Sequence, residues 1–524
     1  MNQRVEPARS QDGSSAALEI GSQPLAVESL DQVGRRCYPV TLSNDAAFRE
    51  RIRQGAERVA EIVASGREVY GISTGFGDSC TVAIPADQLH ALPLNLTRYH
   101  GCGMGEYLSE EVVRATLLAR VNSLAQGVSG VRLELLDNIL VLLREDVLPL
   151  MPAEGSVGAS GDLTPLSYLA AALVGERDVL HRGQRRPAAE ALAEIGLEPI
   201  SLLPKEGLAL MNGTAVMTGI AGIAWARARQ LVDAANRITA MASMAMAGNA
   251  DHFHPELFRM KPHPGQTRSA EAIRAALPLS TGIPGIRLQD RYSLRCAPHV
   301  IGVLDDTLEW TERWLDVELN SANDNPLIDP ESGTVYHGGH FYGGHVGQAM
   351  DSLKTAVASV ADLLDRQMAQ LVDTRFSNGL PANLASEDNP ERDSSHGLKA
   401  LQISVSAWTA EALKLTMPAT SFSRSTECHN QDKVSMGTIA ARDALRVLEL
   451  TEQVTIALLV TVSQALDIRR GRGELKTLPA SVEATLEAVQ AVCPPVHQDR
   501  ALETELRDLL AALRERRIPL ETTP

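Results

Sequence analysis

Hydrophobic residues recur at helical spacing along most of this chain, from about Asp45 onward. In the clearest segment, apolar residues follow one another at steps of three or four. These residues are Val346, Met350, Leu353, Val357, Val360, Leu364, Met368 and Leu371. A stripe of this length predicts one helix about 38 Å long, well above the average in globular proteins.

The pattern predicts a second long helix from Ala441 to Ile468. Within it, residues 454–462 are apolar nearly all round, and such a helix must be surrounded by other helices of the same chain or of partner chains. Strand signals are sparse: residues 68–70 predict a short strand, and residues 328–336 predict a hairpin. We therefore predict a mainly α fold, built as a long-helix bundle.

Three regions are predicted along the chain. Residues 1–25, with scattered Gln, Ser, Gly and Pro, predict a flexible N-terminal extension. A break in the pattern near residue 204 separates an N-terminal portion, residues 26–204, from a C-terminal long-helix bundle, residues 205–524.

Composition excludes several classes of function. The chain has 524 residues, of which 44% are hydrophobic, and a formal net charge of −16. An acidic chain with scattered Lys and Arg offers no positive surface for phosphates, so we expect no nucleic-acid partner. No apolar run approaches the ~20 residues of a membrane helix, and residues 1–30 lack the apolar core of a signal peptide. We therefore expect a cytoplasmic protein without membrane attachment.

Cysteines and histidines do not predict a metal site. The cysteines have irregular spacing without a Cys-x-x-Cys pair, so we expect them to be reduced and mostly structural. They are Cys37, Cys80, Cys102, Cys296, Cys428 and Cys493. Two loose histidine clusters fit no common zinc pattern, and no cysteine joins them. The clusters are His252, His254 and His263, and His337, His340 and His345.

The segment GSVGASGDLTP at residues 155–165 carries the most specific chemistry. If the loop is tight, the Gly161 nitrogen can reach the Ala159 carbonyl carbon. Loss of two waters, one of them carrying Ser160 Oγ, then leaves an imidazolone with an exocyclic methylene. Gly155 and Gly158 permit such a strained loop. The same residues are also compatible with an ordinary loop that caps a helix.

Six further motifs accompany this segment in a fixed order. They are YGISTGFG (70–77), NLTRYH (95–100), MNGT (211–214), QDRYSLR (289–295), NSANDNP (320–326) and NQDKVSMG (430–437). Together with ASGD (159–162), they resemble the aromatic amino acid ammonia-lyases and aminomutases, which include the histidine, tyrosine and phenylalanine ammonia-lyases. The resemblance covers roughly residues 35–470.

The resemblance implies a cofactor, a fold and an assembly. The cofactor is 4-methylidene-imidazole-5-one (MIO), formed autocatalytically from Ala159, Ser160 and Gly161, with no metal or nucleotide. The fold is the fumarase/aspartase-like helical bundle. The assembly is a homotetramer whose active sites take residues from three subunits. The partner is a small aromatic amino acid.

Catalytic roles follow from the same resemblance. Tyr70, on a mobile loop, takes the β-proton of the substrate, and its phenol needs a lowered pKa to act at pH 7. Asn212 lies beside the MIO, where its amide can hold the cofactor carbonyl or the substrate amine. Tyr292 is a further catalytic candidate. Asp162 could assist cyclisation or simply cap the following helix.

The resemblance also implies a substrate-binding set. Arg295 binds the substrate carboxylate, since a guanidinium matches a carboxylate with two hydrogen bonds. Asn323 and Asn325 could complete that pocket, although an Asn-rich turn before Pro326 is equally a helix terminator. The full set is Tyr99, His100, Gln289, Arg295, Asn323, Asn325, Phe341 and Gln431.

Two positions predict the substrate. Histidine ammonia-lyases carry Glu where this chain has Gln431, which tyrosine- and phenylalanine-directed members share. His100 can bond a polar group at the far end of the substrate ring, which disfavours phenylalanine. We therefore predict conversion of L-tyrosine to trans-4-hydroxycinnamate and ammonia. The alternatives are a urocanate-forming histidine ammonia-lyase, an aromatic amino acid 2,3-aminomutase and, outside enzymes, an inert helical homologue.

Some positions depart from the family pattern. Tyr99 is bulky where histidine-containing members have Ser, and it could narrow the pocket. His340 and Tyr342 also differ from the usual residues beside Phe341. They could bond a substituted ring or merely repack behind the pocket.

Overall fold

In the computed structural model of the protein, the described residues are 17–278, 283, 285, 287–391, 393–475 and 477–521. The prediction of a mainly α fold is confirmed. The α-helices are Glu28–Gly34, Ala46–Ser65, Leu92–Tyr99, Glu110–Leu124, Leu133–Arg144, Leu163–Leu173, Ala188–Glu194, Glu206–Met211, Ala215–Ala245, Pro255–Arg259, Pro264–Ala275, Tyr292–Arg295, Ala297–Leu319, Gly344–Leu371, Lys399–Lys414, Gly437–Gly471, Ala480–Val492 and Glu503–Arg514. Short 3-10 helices are Gly77–Thr81, Ala86–Gln88, Ala250–Phe253, Ala382–Leu384 and Ala419–Phe422.

Strands are short and form small separate sheets. Leu18–Ile20 pairs in parallel with Val40–Leu42, and the antiparallel pairs are Met104–Tyr107 with Pro152–Glu154 and Leu327–Ile328 with Val335–Tyr336. A three-stranded antiparallel sheet has the order Val147–Pro149, Asp178–His181, Gln184–Pro187. The hairpin predicted at residues 328–336 is therefore confirmed.

The strand predicted at residues 68–70 is wrong. The carbonyl of Val69 accepts the N–H groups of Ile72 and Ser73, at 3.1 and 3.0 Å, so the chain turns here. Gly71 has a φ of +71°, which is incompatible with an extended strand. The turn places Tyr70 on a loop instead of in a sheet.

Both long helices predicted from the hydrophobic pattern are confirmed. In Gly344–Leu371, all the stripe residues from Val346 to Leu371 are at most 1% exposed. In Gly437–Gly471, each of residues 454–462 is buried, as expected for a segment without a polar face. Burying a large apolar side chain contributes about 1.5–3 kcal/mol, so these two helices provide much of the core.

The chain divides into two compact units, each assembled from separate stretches. Unit 1 takes its described residues from 17–224, 312–351 and 418–442, and unit 2 from 225–311, 352–417 and 443–521. This differs from the predicted division at residue 204, because the chain returns to unit 1 twice after leaving it. Every predicted motif except QDRYSLR lies in unit 1.

Residues 17–25, at the end of the predicted N-terminal extension, are part of unit 1. Residues 1–16 lie outside the described residues. Leu18–Ile20 forms a paired strand, and Leu25 is only 5% exposed. None of the helices in the described ranges has the length and hydropathy that a bilayer crossing requires.

The cysteines do not behave as structural residues. All six are free thiols, but only Cys493 is buried, and four are exposed, namely Cys37, Cys80, Cys102 and Cys428. The prediction that most of them are structural is therefore wrong. The described part of the chain contains no group of three or more His, Cys, Asp or Glu side chains able to hold a metal ion.

Candidate active site

The Ala159-Ser160-Gly161 loop precedes the Leu163–Leu173 helix and has the tight backbone that the sequence predicts. Its neighbour Gly158 and its own Gly161 have φ angles of +71° and +70°, in the left-handed region that favours glycine. A Cβ atom at Gly161 would lie 2.1 Å from the carbonyl oxygen of Gly213. No other residue type therefore fits at Gly161 without moving the backbone.

Gly213 holds this loop through the backbone. Its N–H donates to the Ser160 carbonyl at 3.2 Å, and its own carbonyl accepts the Asp162 N–H at 2.8 Å. Arg120 lies on the other side and donates from Nη1 to the Asn212 carbonyl at 3.2 Å. The loop is thus fixed by a segment that is distant in sequence.

Asp162 does not cap the helix that follows it, contrary to one of the two predicted roles. Its side chain makes no capping bond there. Instead, Oδ2 accepts the N–H groups of Val216 and Met217, at 3.0 and 2.9 Å, at the start of the Ala215–Ala245 helix. Oδ1 accepts the hydroxyl of Thr438. Burial raises the pKa of Asp162 to about 6.

A cavity of about 1200 Å³ opens over this loop within unit 1. It collects residues from most of the predicted motifs, although these are far apart in sequence. The predicted site residues that line it are Tyr70, Tyr99, His100, Ala159, Ser160, Asn212, Asn325, Phe341 and Gln431. Nine of the fourteen predicted site residues therefore line one cavity.

Gln431 is the cavity residue with a direct bond to the loop. Its Nε2 donates to Ser160 Oγ at 3.3 Å, and its Oε1 accepts the Thr426 hydroxyl at 3.0 Å. Thr426 and Gln431 also exchange backbone hydrogen bonds at 3.0 and 3.3 Å. Residues 427–429 between them all have left-handed φ angles, from 50° to 63°. Thr426 in this constrained turn and Ser160 in the loop thus hold the two ends of the Gln431 amide.

Tyr70 lies on a loop at the cavity, and its hydroxyl accepts the Gly77 N–H at 3.1 Å. The ring of His337 packs edge-on against the Tyr70 ring, with centroids 6.5 Å apart. Burial raises the pKa of Tyr70, and the Glu427 carboxylate raises it further, while the Gly77 bond opposes both. The groups of this chain that face Tyr70 therefore do not provide the lowered pKa that a base at pH 7 needs.

His100 presents a neutral imidazole. Its Nδ1 bonds the Leu96 carbonyl at 3.0 Å, so Nδ1 carries the hydrogen and Nε2 is left as an acceptor. Burial lowers the pKa of His100, which favours this neutral form. The ring of Tyr99 lies against the His100 ring, with centroids 4.4 Å apart, and burial raises the pKa of Tyr99 to about 12.

The asparagines of the NSANDNP motif have different surroundings. Asn325 lines the cavity, and its Oδ1 accepts the Gly338 N–H at 2.8 Å. Asn323 is buried, donates to the Glu318 carbonyl at 3.0 Å and does not line the cavity. Contrary to the prediction, Asn323 therefore contributes no side chain to the cavity.

The residues of the QDRYSLR motif are not brought to this cavity within one chain. Gln289, Tyr292 and Arg295 belong to unit 2, and none of them is among the lining residues. Arg295 donates from Nε to the Asp290 carbonyl at 2.9 Å, and its guanidinium lies 4.5 Å from the Tyr292 ring centre. Tyr292 is 70% exposed.

Comparison with known proteins matches this arrangement to a family. The family model described as aromatic amino acid lyase matches residues 25–492. The chain belongs to the aromatic amino acid lyase family. It is therefore a carbon–nitrogen lyase.

Relatives in this family match over nearly their whole length. Histidine ammonia-lyase of Deinococcus radiodurans is 40% identical over 502 residues, covering 94% of this chain and 93% of the relative. The crystal structure of histidine ammonia-lyase from Trypanosoma cruzi has a TM-score of 0.87 and 32% identity, covering 96% of this chain and 94% of that chain. Tyrosine aminomutase from Streptomyces globisporus has a TM-score of 0.89 and 33% identity, covering 96% and 98%.

Glu427 and His337 are among the cavity residues of this lyase that were not predicted as part of the site. Glu427 lines the cavity and lies four positions before Gln431, in the same turn. This closeness in sequence to a predicted site residue could have indicated Glu427. His337 also lines the cavity, although the sequence pattern placed it only in a loose histidine cluster. His340 and Tyr342 do not line the cavity, and the Tyr342 hydroxyl donates to the Val434 carbonyl at 3.5 Å. Of the two predicted roles for Tyr342, packing behind the pocket therefore agrees with the structure.

Proposed function

We propose that this lyase is an MIO-dependent histidine ammonia-lyase, which converts L-histidine to urocanate and ammonia. The main support for the substrate is that relatives covering most of the chain at 34–40% identity are histidine ammonia-lyases. The L-tyrosine predicted from the sequence has no such support among these relatives. The histidine alternative therefore replaces it as the first candidate.

The Ala159-Ser160-Gly161 loop fits the MIO group. Gly161 has no Cβ to obstruct its nitrogen, its left-handed backbone is compressed against Gly213, and Ser160 faces the cavity. When present, the group supplies an electrophilic methylene that activates the substrate amine as a leaving group. The Leu163–Leu173 helix begins next to the loop, and its N-terminal partial positive charge favours an electron-poor centre there.

Tyr70 is the proposed base. Its hydroxyl lies in the cavity and takes the β-proton of the substrate, while the Gly77 N–H stabilises the phenolate oxygen. His100 Nε2 is the proposed acceptor for the N–H at the far end of the substrate imidazole. A neutral His100 suits this role because both of its ring nitrogens are then assigned: Nδ1 donates to Leu96 and Nε2 accepts from the substrate.

We propose that a neighbouring subunit completes the site in a homotetramer. The described residues that line the cavity include Lys433 but no arginine, and a guanidinium is the group that matches the substrate carboxylate with two hydrogen bonds. Arg295, Gln289 and Tyr292 lie outside the cavity of their own chain, in unit 2. In the family arrangement, these residues serve the cavity of another subunit.

L-Tyrosine is the second candidate, and Gln431 favours it. An amide at this position is neutral, whereas a carboxylate would pair better with an imidazole that can carry charge. A phenol hydroxyl can also donate to His100 Nε2. Gln431 is therefore the residue that we expect to discriminate most between L-histidine and L-tyrosine.

The decisive experiment compares substrates on the purified protein. We expect ammonia release and a new conjugated ultraviolet band with L-histidine, at a kcat/KM above that for L-tyrosine and L-phenylalanine. The intact chain should be lighter than its sequence by two waters, and Ser160→Ala should restore the full mass and abolish turnover. A higher kcat/KM for L-tyrosine would favour the second candidate. An isomeric β-amino acid without ammonia, or a full-mass inactive wild-type chain, would contradict the proposal.

A further inference from the structure

Charged side chains are completely buried next to Asn212, where the mechanism above assigns them no role. Arg120, Lys205 and Asp324 are each at most 1% exposed. Lys and Asp are seldom buried to this extent, because the loss of hydration is compensated only by a close partner. Lys205 Nζ and Asp324 Oδ2 are such partners, 2.5 Å apart.

The ion pair continues directly to the amide of Asn212. The other oxygen of Asp324, Oδ1, accepts the Asn212 Nδ2 at 3.2 Å. The second hydrogen of Nδ2 goes to the Asn325 carbonyl at 2.9 Å. Both hydrogens of the amide nitrogen are therefore used by groups that can only accept.

These contacts fix which end of the amide faces a ligand. Rotating the amide by half a turn would set its oxygen against the Asp324 carboxylate and the Asn325 carbonyl, where no hydrogen bond is available. Asn212 Oδ1 is buried and has no hydrogen-bond partner within the described part of the chain. Asn212 also lines the cavity, so Oδ1 is the acceptor left for a donor bound there.

Lys205 keeps Asp324 in the state that this orientation requires. An ionised carboxylate can only accept, whereas an unpaired buried carboxyl group takes up a proton and can donate. A protonated Asp324 could bond the Asn212 oxygen and permit the amide to rotate. Lys205 itself has a φ of +77°, a conformation that non-glycine residues rarely adopt, and it precedes the Glu206–Met211 helix that leads to Asn212.

We propose that Lys205 and Asp324 are positioning residues whose buried ion pair locks the Asn212 amide with its oxygen presented to the substrate amine. The inference rests on the proposed function, because the donor it assigns to Asn212 Oδ1 is the α-ammonium group of an amino acid. Of the two roles open to Asn212, it selects acceptance from the amine over donation to the cofactor carbonyl.

A double-mutant cycle tests this inference. We expect Lys205→Met to lower kcat/KM at least tenfold in the wild-type background but less than threefold in Asn212→Ala, because the pair acts through that amide. The chain should remain two waters lighter than its sequence. Equal losses in both backgrounds would overturn the inference.

A charge-conserving variant gives a second readout. Lys205→Arg keeps a cation beside Asp324 and should therefore retain most of the kcat/KM that Lys205→Met loses. A loss in Lys205→Arg as large as that in Lys205→Met would contradict the lock. If Lys205→Met does not fold, Asp324→Asn tests the same coupling in a residue of nearly equal size, again crossed with Asn212→Ala, and additive losses would again overturn it.

A matched control separates catalysis from stability. Lys354 is also fully buried, with Nζ 2.8 Å from the Met417 carbonyl and 3.1 Å from Asp443 Oδ2. Lys354→Met should lower thermal stability without a comparable loss of kcat/KM. A wild-type chain at full mass without turnover would instead refute the proposed function, so the two failures are distinguishable.

Discussion

Glu427 accepts the backbone N–H of Asp78 with both of its carboxylate oxygens, at 3.0 and 3.1 Å. The preceding residue, Gly77, donates its N–H to the Tyr70 hydroxyl at 3.1 Å. Glu427 therefore fastens the turn that holds the proposed base. Gln431, which bonds Ser160, lies in the same constrained turn as Glu427.

Removing this fastening should loosen the Tyr70 loop. We expect Glu427→Ala to lower kcat/KM about tenfold, because the loss of a hydrogen bond to a charged group outweighs the lower Tyr70 pKa that removal of the carboxylate brings. Hydrogen exchange at the Asp78 amide should become faster. Glu427→Gln is the matched control, since its amide oxygen still accepts the N–H and most activity should remain. Unchanged exchange in Glu427→Ala would refute the role.

The raised pKa of Tyr70 predicts an alkaline rate profile. A base must be deprotonated, so the active fraction rises tenfold per pH unit as long as the pH is below the pKa. Because burial raises this pKa above its ordinary value near 10, log kcat/KM should still be rising at about pH 9. Tyr70→Phe should abolish turnover while the chain still loses two waters. A flat wild-type profile between about pH 7 and 10 would exclude Tyr70 as the free base.

Gln431 should influence the choice between substrates. We expect Gln431→Glu to increase the ratio of kcat/KM for L-histidine to that for L-tyrosine at least tenfold, because a carboxylate favours an imidazole that can carry charge. Gln431→Met, which is similar in size and uncharged, should not increase this ratio. If the ratio is the same in Gln431→Glu and wild type, another residue sets selectivity.

The backbone at Gly161 gives the most specific test of cofactor formation. Gly161→Ala should yield a chain of full mass without turnover, because the added Cβ would meet the Gly213 carbonyl at 2.1 Å. Gly196 is the matched control: it has the same φ of +70° and nothing within 4 Å of an added Cβ. Gly196→Ala should cost about 1 kcal/mol of stability and leave the mass loss intact. A mass loss of two waters in Gly161→Ala would contradict the proposed cyclisation.

The long helices were predictable because their spacing repeats over many turns. The stripe from Val346 to Leu371 agrees only with the periodicity of an α-helix, and every residue of the stripe is buried. The turn at residues 68–70 was not predictable, because these three residues have strand propensity. The left-handed backbone of Gly71 overrides that propensity. The return of the chain to unit 1 depends on tertiary contacts that no local pattern records.

Most of the cavity residues were predictable because they lie in motifs. The orientation of their side chains was not predictable. Asn323 and Asn325 are two positions apart, yet only Asn325 lines the cavity, since the turn directs the Asn323 amide to the Glu318 carbonyl. The direction of the Tyr70 pKa shift depends on burial and on Glu427, which approaches from a distant part of the chain.

The backbone bonds between Ser160, Asp162 and Gly213 join segments that meet only after folding. Asp162 in turn caps a long helix through Val216 and Met217. An unfolded chain has nothing to compress the glycine loop, so under the proposed function it would keep its full mass. Each molecule would thus carry a permanent covalent record of having reached the native state, and a mass spectrum of a preparation would count the chains that had done so.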